Sequence, residues 1–351
     1  MSNTQSPPDR SRTATRAANS DESAALDQLI RGFQISSMIR LAADLGIADR
    51  ISPDDRVPLT ALATSCSVMA APLLRICRAL AAFGIFDVRA DDSISHSPKS
   101  LLLRSDSNSG HYLSARFWAA PGNWTVWASL DPALHTDKSL HEIVWDMSRF
   151  DYMKSHPEEA HIYHARMGGA SGNRQEAIAA AYDFSGADTI VDVGGGNGAL
   201  LRAILDRNPK SRGIVFDRAE VVTAIPLDAR VDGRLTVEPG DFFDRVPSGA
   251  DYYLLSWILH DWSSEASQKI LRNCRAAMPP TSRLLIADRL LNSDPLQGDP
   301  MDYLSDIQIM TIGGQERTAP EFQKLLTTCG FGTIRVFPTT SQVSIIETIP
   351  V

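Results

Sequence analysis

Cysteine is scarce in this chain. Only Cys66, Cys77, Cys274 and Cys329 occur in 351 residues. No two of them form a Cys-x-x-Cys pair, so neither a zinc framework nor a disulfide scaffold is expected, and a chain of this length can bury a core without staples. Long apolar runs are missing too. None reaches the roughly 18 uncharged residues that a membrane helix needs. The first 24 residues hold Ser, Thr, Pro and Arg but no apolar stretch, which argues against a secretory signal. Arg10, Arg12 and Arg16 hint at a transit peptide, but Pro7, Pro8, Asp9, Asp21 and Glu22 spoil the pattern. Positive charge is not in excess. There are 34 Lys and Arg against 42 Asp and Glu, a net charge of −8. A field of that sign repels phosphate backbones. The expectation is a cytoplasmic protein with four reduced thiols, no membrane span and no nucleic-acid partner.

What is present is ordinary globular material, 43% hydrophobic and 22% charged, in a length that suits two domains. Residues 1–24 read as a disordered tail. From 25 to 110 the periodicity is helical with short loops. Leu26, Leu29, Ile30, Phe33, Ile39, Leu41 and Leu45 form a stripe that stops at Gly46. Short helices follow over 59–63 and 71–83, then two short strands around Asp91-Asp92-Ser93. That order is a winged-helix pattern. Its second helix offers only Arg75 and Arg78 and is otherwise apolar, which suits burial against another chain better than reading DNA. Residues 111–180 read as a helical connector. They carry Trp118, Trp124, Trp127 and Trp145, a minority of whose rings are expected to line a pocket for a flat ligand. From 181 to 351, strand-like and helical runs alternate, which predicts a mostly parallel sheet of α/β type. Thr333–Phe337 and Val343–Thr348 predict a closing hairpin with an antiparallel final strand.

Ile190-Val191-Asp192-Val193-Gly194-Gly195-Gly196-Asn197-Gly198 is a strand, a glycine turn and a helix start. Its glycines let the backbone approach a ligand closely. The letters also fit a dinucleotide fingerprint. The acids decide between the two. Asp192 precedes the turn, Asp217 ends the next strand, where a carboxylate can hold two ribose hydroxyls, and Asp241 follows the third. A pyrophosphate would be disfavoured beside them, whereas the sulfonium and ammonium of S-adenosylmethionine match them. His260 leaves the fourth strand just before a helix that Ser263 can cap. Of the eight histidines, it alone has that placement on the ligand rim. A base there can take a phenol's proton as the oxygen attacks a methyl group. Asp288 and Glu316 are the candidates to fix its tautomer, with helix capping as the competing reading of Glu316.

Four segments together resemble the caffeate/hydroxyindole-type small-molecule O-methyltransferases of the bacterial natural-product branch. They are Asp192–Gly198, Gly240-Asp241-Phe242-Phe243, Leu259-His260-Asp261-Trp262-Ser263 and Gly313-Gly314-Gln315-Glu316-Arg317-Thr318. The resemblance covers residues 25–349. It implies a winged-helix dimerisation domain followed by a Rossmann-like S-adenosylmethionine-binding domain, in a homodimer. It implies cofactor contacts from Gly194, Gly196, Asp217, Asp241 and Phe242. Ser256 stands where relatives often have lysine. Met167 and Ser171 match positions beside the methionine moiety. His260 matches the base, with Asp288 and Glu316 flanking it; relatives often have Glu at the first. Asp261, Ile307, Met310 and Thr311 match substrate-side positions. No metal is implied. The acceptor it implies is an aromatic hydroxyl, of a phenol, quinone or polyketide-like molecule. Two other readings stay open: a methyltransferase-like hydroxylase or decarboxylase, and a ligand-sensing winged-helix regulator.

Overall fold

The computed structural model describes residues 21–136, 138–225 and 232–351, with the side chains of 168–173 excepted. Two compact units partition the chain. One holds the residues up to Trp124 together with His161–Arg166. The other holds Thr125–Ala160 and Met167–Val351.

In the first unit residues 21–30 are already helical, which places four residues of the expected tail in a helix; residues 1–20 lie outside the described residues. After a turn at Arg31 comes α1 (Gly32–Asp44). Then α2 (Leu59–Ser65) and α3 (Ala70–Ala82) cross at 112°, the angle of a helix-turn-helix. Among the described residues no single helix is long and apolar enough to cross a membrane, and this bent pair has core positions instead. Leu59, Leu62, Leu73, Cys77 and Leu80 bury their apolar faces with Ile47, Ile51, Phe86 and Ile94. Strands β1 (Arg56–Pro58), β2 (Asp87–Val88) and β3 (Ser93–Ser95) form an antiparallel sheet in the order β1-β3-β2. Strand β1 is not signalled by periodicity. It is three residues long, follows Asp54-Asp55 and ends on a proline. The expected outer cation Arg78 is paired with Asp92 at 2.6 Å.

The second unit is built on a seven-stranded sheet. Strands β4 (Thr189–Val193), β5 (Arg212–Asp217), β6 (Leu235–Pro239), β7 (Tyr252–Ser256) and β8 (Arg283–Asp288) run parallel, in the spatial order β8-β7-β4-β5-β6. Their near-continuous Val, Ile and Leu content reflects burial on both faces. Two-residue strands β9 (Leu290–Leu291) and β10 (Arg317–Thr318) pair in parallel beside them. The hairpin of β11 (Arg335–Pro338) and β12 (Ser344–Thr348) is antiparallel as expected. The final strand is not simply appended: β12 is inserted between β8 and β11. Helices α4 (Leu140–Trp145), α5 (Pro157–Ala181), α6 (Ala199–Arg207), α7 (Ser264–Ala277), α8 (Pro300–Met310) and α9 (Ala319–Thr328) complete the scaffold. Ser263 caps α7 as expected, its hydroxyl accepting the Ala266 N–H at 3.2 Å.

Because the strands are parallel, the loops after β4, β5, β6, β7 and β8 all leave from one edge of the sheet. In such sheets ligands bind outside the carboxyl ends of the strands.

Candidate active site

The glycine turn begins this edge. Gly194, Gly196 and Gly198 all have φ between 56° and 72°. Gly194 has no room for a side chain: a Cβ there would lie 2.4 Å from Ile258 Cδ1 and 3.4 Å from the Phe242 ring. The Gly196 N–H donates to Asp217 Oδ2 at 2.9 Å, so the second strand's carboxylate is held against the turn of the first. Asp192 is buried beneath, and its Oδ2 has no hydrogen-bond partner. Burial, and then the charge of Asp217, push its pKa up to about 7. Asp241 is exposed and accepts the Phe243 N–H at 2.8 Å. Phe242, Phe243 and Trp262 meet edge to face, with centroids 4.7–6.1 Å apart. Ser256 is half-buried at the end of β7, opposite Ala287 of β8.

The histidine lies one turn further on. Trp257 turns the chain with φ of 57°, a left-handed conformation that a bulky residue rarely adopts. Leu259–Asp261 then form one 3-10 turn. His260 is 4% exposed, with the Trp257 ring edge-on at 4.6 Å. Its Nδ1 donates to Glu316 Oε1 at 3.3 Å, and Asp261 Oδ1 lies 3.4 Å from Nε2. Asp288 is fully buried, and neither carboxylate oxygen has a hydrogen-bond partner. Burial pushes Asp288 up to about 7 against the pull of His260. For His260 itself, burial lowers the pKa. The Glu316 hydrogen bond and the charges of Asp261, Asp288 and Glu316 outweigh it and hold the imidazole at about 9. The two candidate acids thus part company: Glu316 holds the ring and Asp288 acts by field alone. Glu316 does not cap α9, because Thr318 and Glu321 form that cap.

Glu316 reaches this position through its backbone. Gln315 N–H donates to the His260 carbonyl at 2.8 Å. At Gly314 a Cβ would fall 2.0 Å from the same oxygen, so only glycine fits. Arg317, 2% exposed, donates to the carbonyls of Leu259 and Trp262 and to the Ser267 hydroxyl. Arg289 pairs with Asp302 and lies 3.7 Å from Glu316. The parts played by Arg317, Arg289 and Trp257 emerge only in the folded chain. Two adjacent charges in Glu316-Arg317, flanked by a glycine pair and a cap, were the available signal.

Ile307 and Met310 are half-buried on α8, as their spacing implies. Thr311 is buried, and its hydroxyl donates to the Gln308 carbonyl at 2.6 Å, closing the end of that helix. Met167 is half-buried on α5; the Ser171 side chain lies outside the described residues. Trp127 Nε1 of the connector donates to Gln308 Oε1 of α8 at 2.6 Å.

The model of the O-methyltransferase domain family matches residues 127–332. The chain belongs to this family. It is 35% identical over 334 residues to a phenazine O-methyltransferase of Lysobacter antibioticus, covering 94% of this chain and 96% of that one. The solved mitomycin 7-O-methyltransferase matches with a TM-score of 0.83 at 32% identity, covering 97% of this chain and all of that one. A methyltransferase of calicheamicin biosynthesis, solved with S-adenosylhomocysteine bound, matches with a TM-score of 0.78 at 31% identity, covering 98% and 100%. This protein is an S-adenosylmethionine-dependent O-methyltransferase. Its residues fit that cofactor. The unpartnered, buried Asp192 oxygen suits an ammonium, the Asp217 carboxylate suits a ribose, and the side-chain-free approach at Gly194 admits a ligand against the backbone. Among the described residues no group of three or more His, Cys, Asp and Glu could hold a metal ion.

Proposed function

We propose that this methyltransferase alkylates an aromatic hydroxyl of a natural-product intermediate, with His260 as the general base, and works as a homodimer through its winged-helix unit. The observation that carries the base assignment is the buried His260–Glu316 contact at the carboxyl edge of the sheet. Glu316 holds Nδ1–H, which leaves Nε2, beside Asp261, as the nitrogen to take a proton. Gly194, Gly196, Asp217, Asp241, Phe242, Ser256, Met167 and Ser171 hold the cofactor, which supplies an electrophilic methyl group on a sulfonium. Asp261, Ile307, Met310 and Thr311 form the acceptor side with part of segment 111–180. The names of the phenazine, mitomycin and calicheamicin relatives support an acceptor of that aromatic, secondary-metabolite kind.

A phenol ionises near pH 10, so at neutral pH little of it is phenolate. Removing the proton as the oxygen attacks is worth roughly 10²–10⁴-fold. His260→Gln is therefore expected to lower turnover of a phenolic acceptor by roughly that factor while leaving S-adenosylhomocysteine affinity unchanged. Turnover by a panel of phenols and calorimetry with S-adenosylhomocysteine measure the two halves. A variant of near-normal rate at neutral pH would remove His260 from the role of base.

Dimerisation rests on an uncovered apolar face. Leu29 is 78% exposed and Ile30 63%, beside Leu26, Phe33 and Leu41. A soluble monomer rarely leaves such a contiguous stripe in water.

A further inference from the structure

His141 opens the first turn of α4 and is 2% exposed, yet neither ring nitrogen has a hydrogen-bond partner. A neutral imidazole carries one donor and one acceptor, and buried polar atoms are nearly always satisfied. Its surroundings do not meet either need. The Tyr152 ring stands edge-on with centroids 6.3 Å apart, and the backbone N–H of His141, not its ring, donates to the Thr311 carbonyl at 3.2 Å. Burial, and then the charge of Arg149, hold the imidazole's pKa down at about 4, so at working pH it is neutral.

The location ties it to the reaction. Thr311 ends α8, and three residues on, the same loop touches His260 through Gly314 and Gln315. The field of Arg149 reaches both His141 and Asp261, the residue beside Nε2 of His260. His141 therefore stands on a segment bonded to the end of α8, one backbone bond from the loop that carries Gly314, Gln315 and Glu316 to the base.

We propose that His141 is a specificity-determining residue that binds a second oxygen or nitrogen on the edge of the acceptor ring, away from the hydroxyl that is methylated. This rests on the acceptor being aromatic, as proposed above. A hydroxyl there donates to the unprotonated nitrogen, and a carbonyl or quinone oxygen accepts from the N–H. An acceptor with a bare hydrocarbon edge leaves both nitrogens unsatisfied in a dry site, the arrangement by which enzymes discriminate most strongly against missing polar groups.

The test uses the full-length enzyme saturated with S-adenosylhomocysteine. Calorimetry compares 2-naphthol with 2,6- and 2,7-dihydroxynaphthalene. The wild type is expected to bind one of the diols about tenfold or more tightly than the mono-ol. His141→Phe is expected to bring the ratio close to unity by weakening the diol, and His141→Gln, which keeps a donor and an acceptor, to restore part of it. In turnover the change falls on KM and not on kcat. Equal affinities in the wild type, including no binding of either, overturn the proposal, as does a Phe variant that keeps the preference. Should that variant lose S-adenosylhomocysteine binding, the wild type answers alone: the His141 ring nitrogens, followed by NMR, must shift with the diol and stay still with 2-naphthol. An intact rate in His260→Gln with these His141 results would fell the base assignment and leave this inference standing.

Discussion

At the scale of single residues the decisive quantity is the proton on His260. With its pKa held at about 9, the imidazole is charged at neutral pH, paired through both nitrogens to Glu316 and Asp261. A general base has to be neutral before it can accept a proton. The activity of the wild type is therefore expected to climb as pH rises from 7 towards 9, provided saturating cofactor is present. Glu316→Gln removes the hydrogen-bonded anion that raises this pKa. Its pH–rate curve is expected to shift to lower pH, with a lower plateau because the ring is no longer held as firmly. Profiles of kcat/KM for both proteins check this; superimposable curves would mean that another group sets the limb. Gln at 316 keeps the shape of the contact, so the comparison isolates charge from packing.

Among elements, the strand-to-helix turn after β4 shows what the sequence makes legible. Gly194 lies at φ 71° with Ile258 above it. Gly194→Ala is expected to cost about 1–3 kcal/mol in strain and to weaken S-adenosylhomocysteine by an order of magnitude or more, read by thermal melting and calorimetry. That turn was readable because glycine content and strand periodicity coincide. The same holds for β4, where Ile190-Val191-Asp192-Val193 leads straight into the turn. His260 was readable because it lies between a strand and a capped helix start, four residues past the end of β7. The choice between Asp288 and Glu316 was not, since both lie far from His260 along the chain and only the tertiary fold shows which one reaches the ring. Nor was β1 readable, for three residues carry no period, nor His141, whose significance lies in the partners it lacks. Nothing in spacing records that.

For the whole molecule two outcomes are expected. His260 is raised from 6.5 to about 9, so its contribution to stability is complete below pH 6.5 and disappears as pH rises through 9. Asp192 and Asp288 are raised from 3.8 to about 7, so theirs is complete below 3.8 and gone above 7. All three slopes have one sign. The melting temperature of the cofactor-free protein is therefore expected to fall steadily from pH 6 to pH 9.5 by calorimetry; a rise over that window would contradict the buried charges assigned here. The second outcome concerns assembly. Leu29→Lys with Ile30→Lys is expected to turn a dimer into a monomer in light scattering, and a wild type that is already monomeric would remove the dimer from the proposal. Finally, the placement of β12 has a consequence for synthesis. Strand β8, which ends in Asp288, has β12 as its neighbour on the side away from β7, and β11 reaches the sheet only through β12. A ribosome must read past residue 348 before that half of the sheet can close. Until then a nascent chain exposes the apolar edge of β8, the kind of unpaired edge that other chains can join, so the last strand made is also the one that closes the sheet against aggregation.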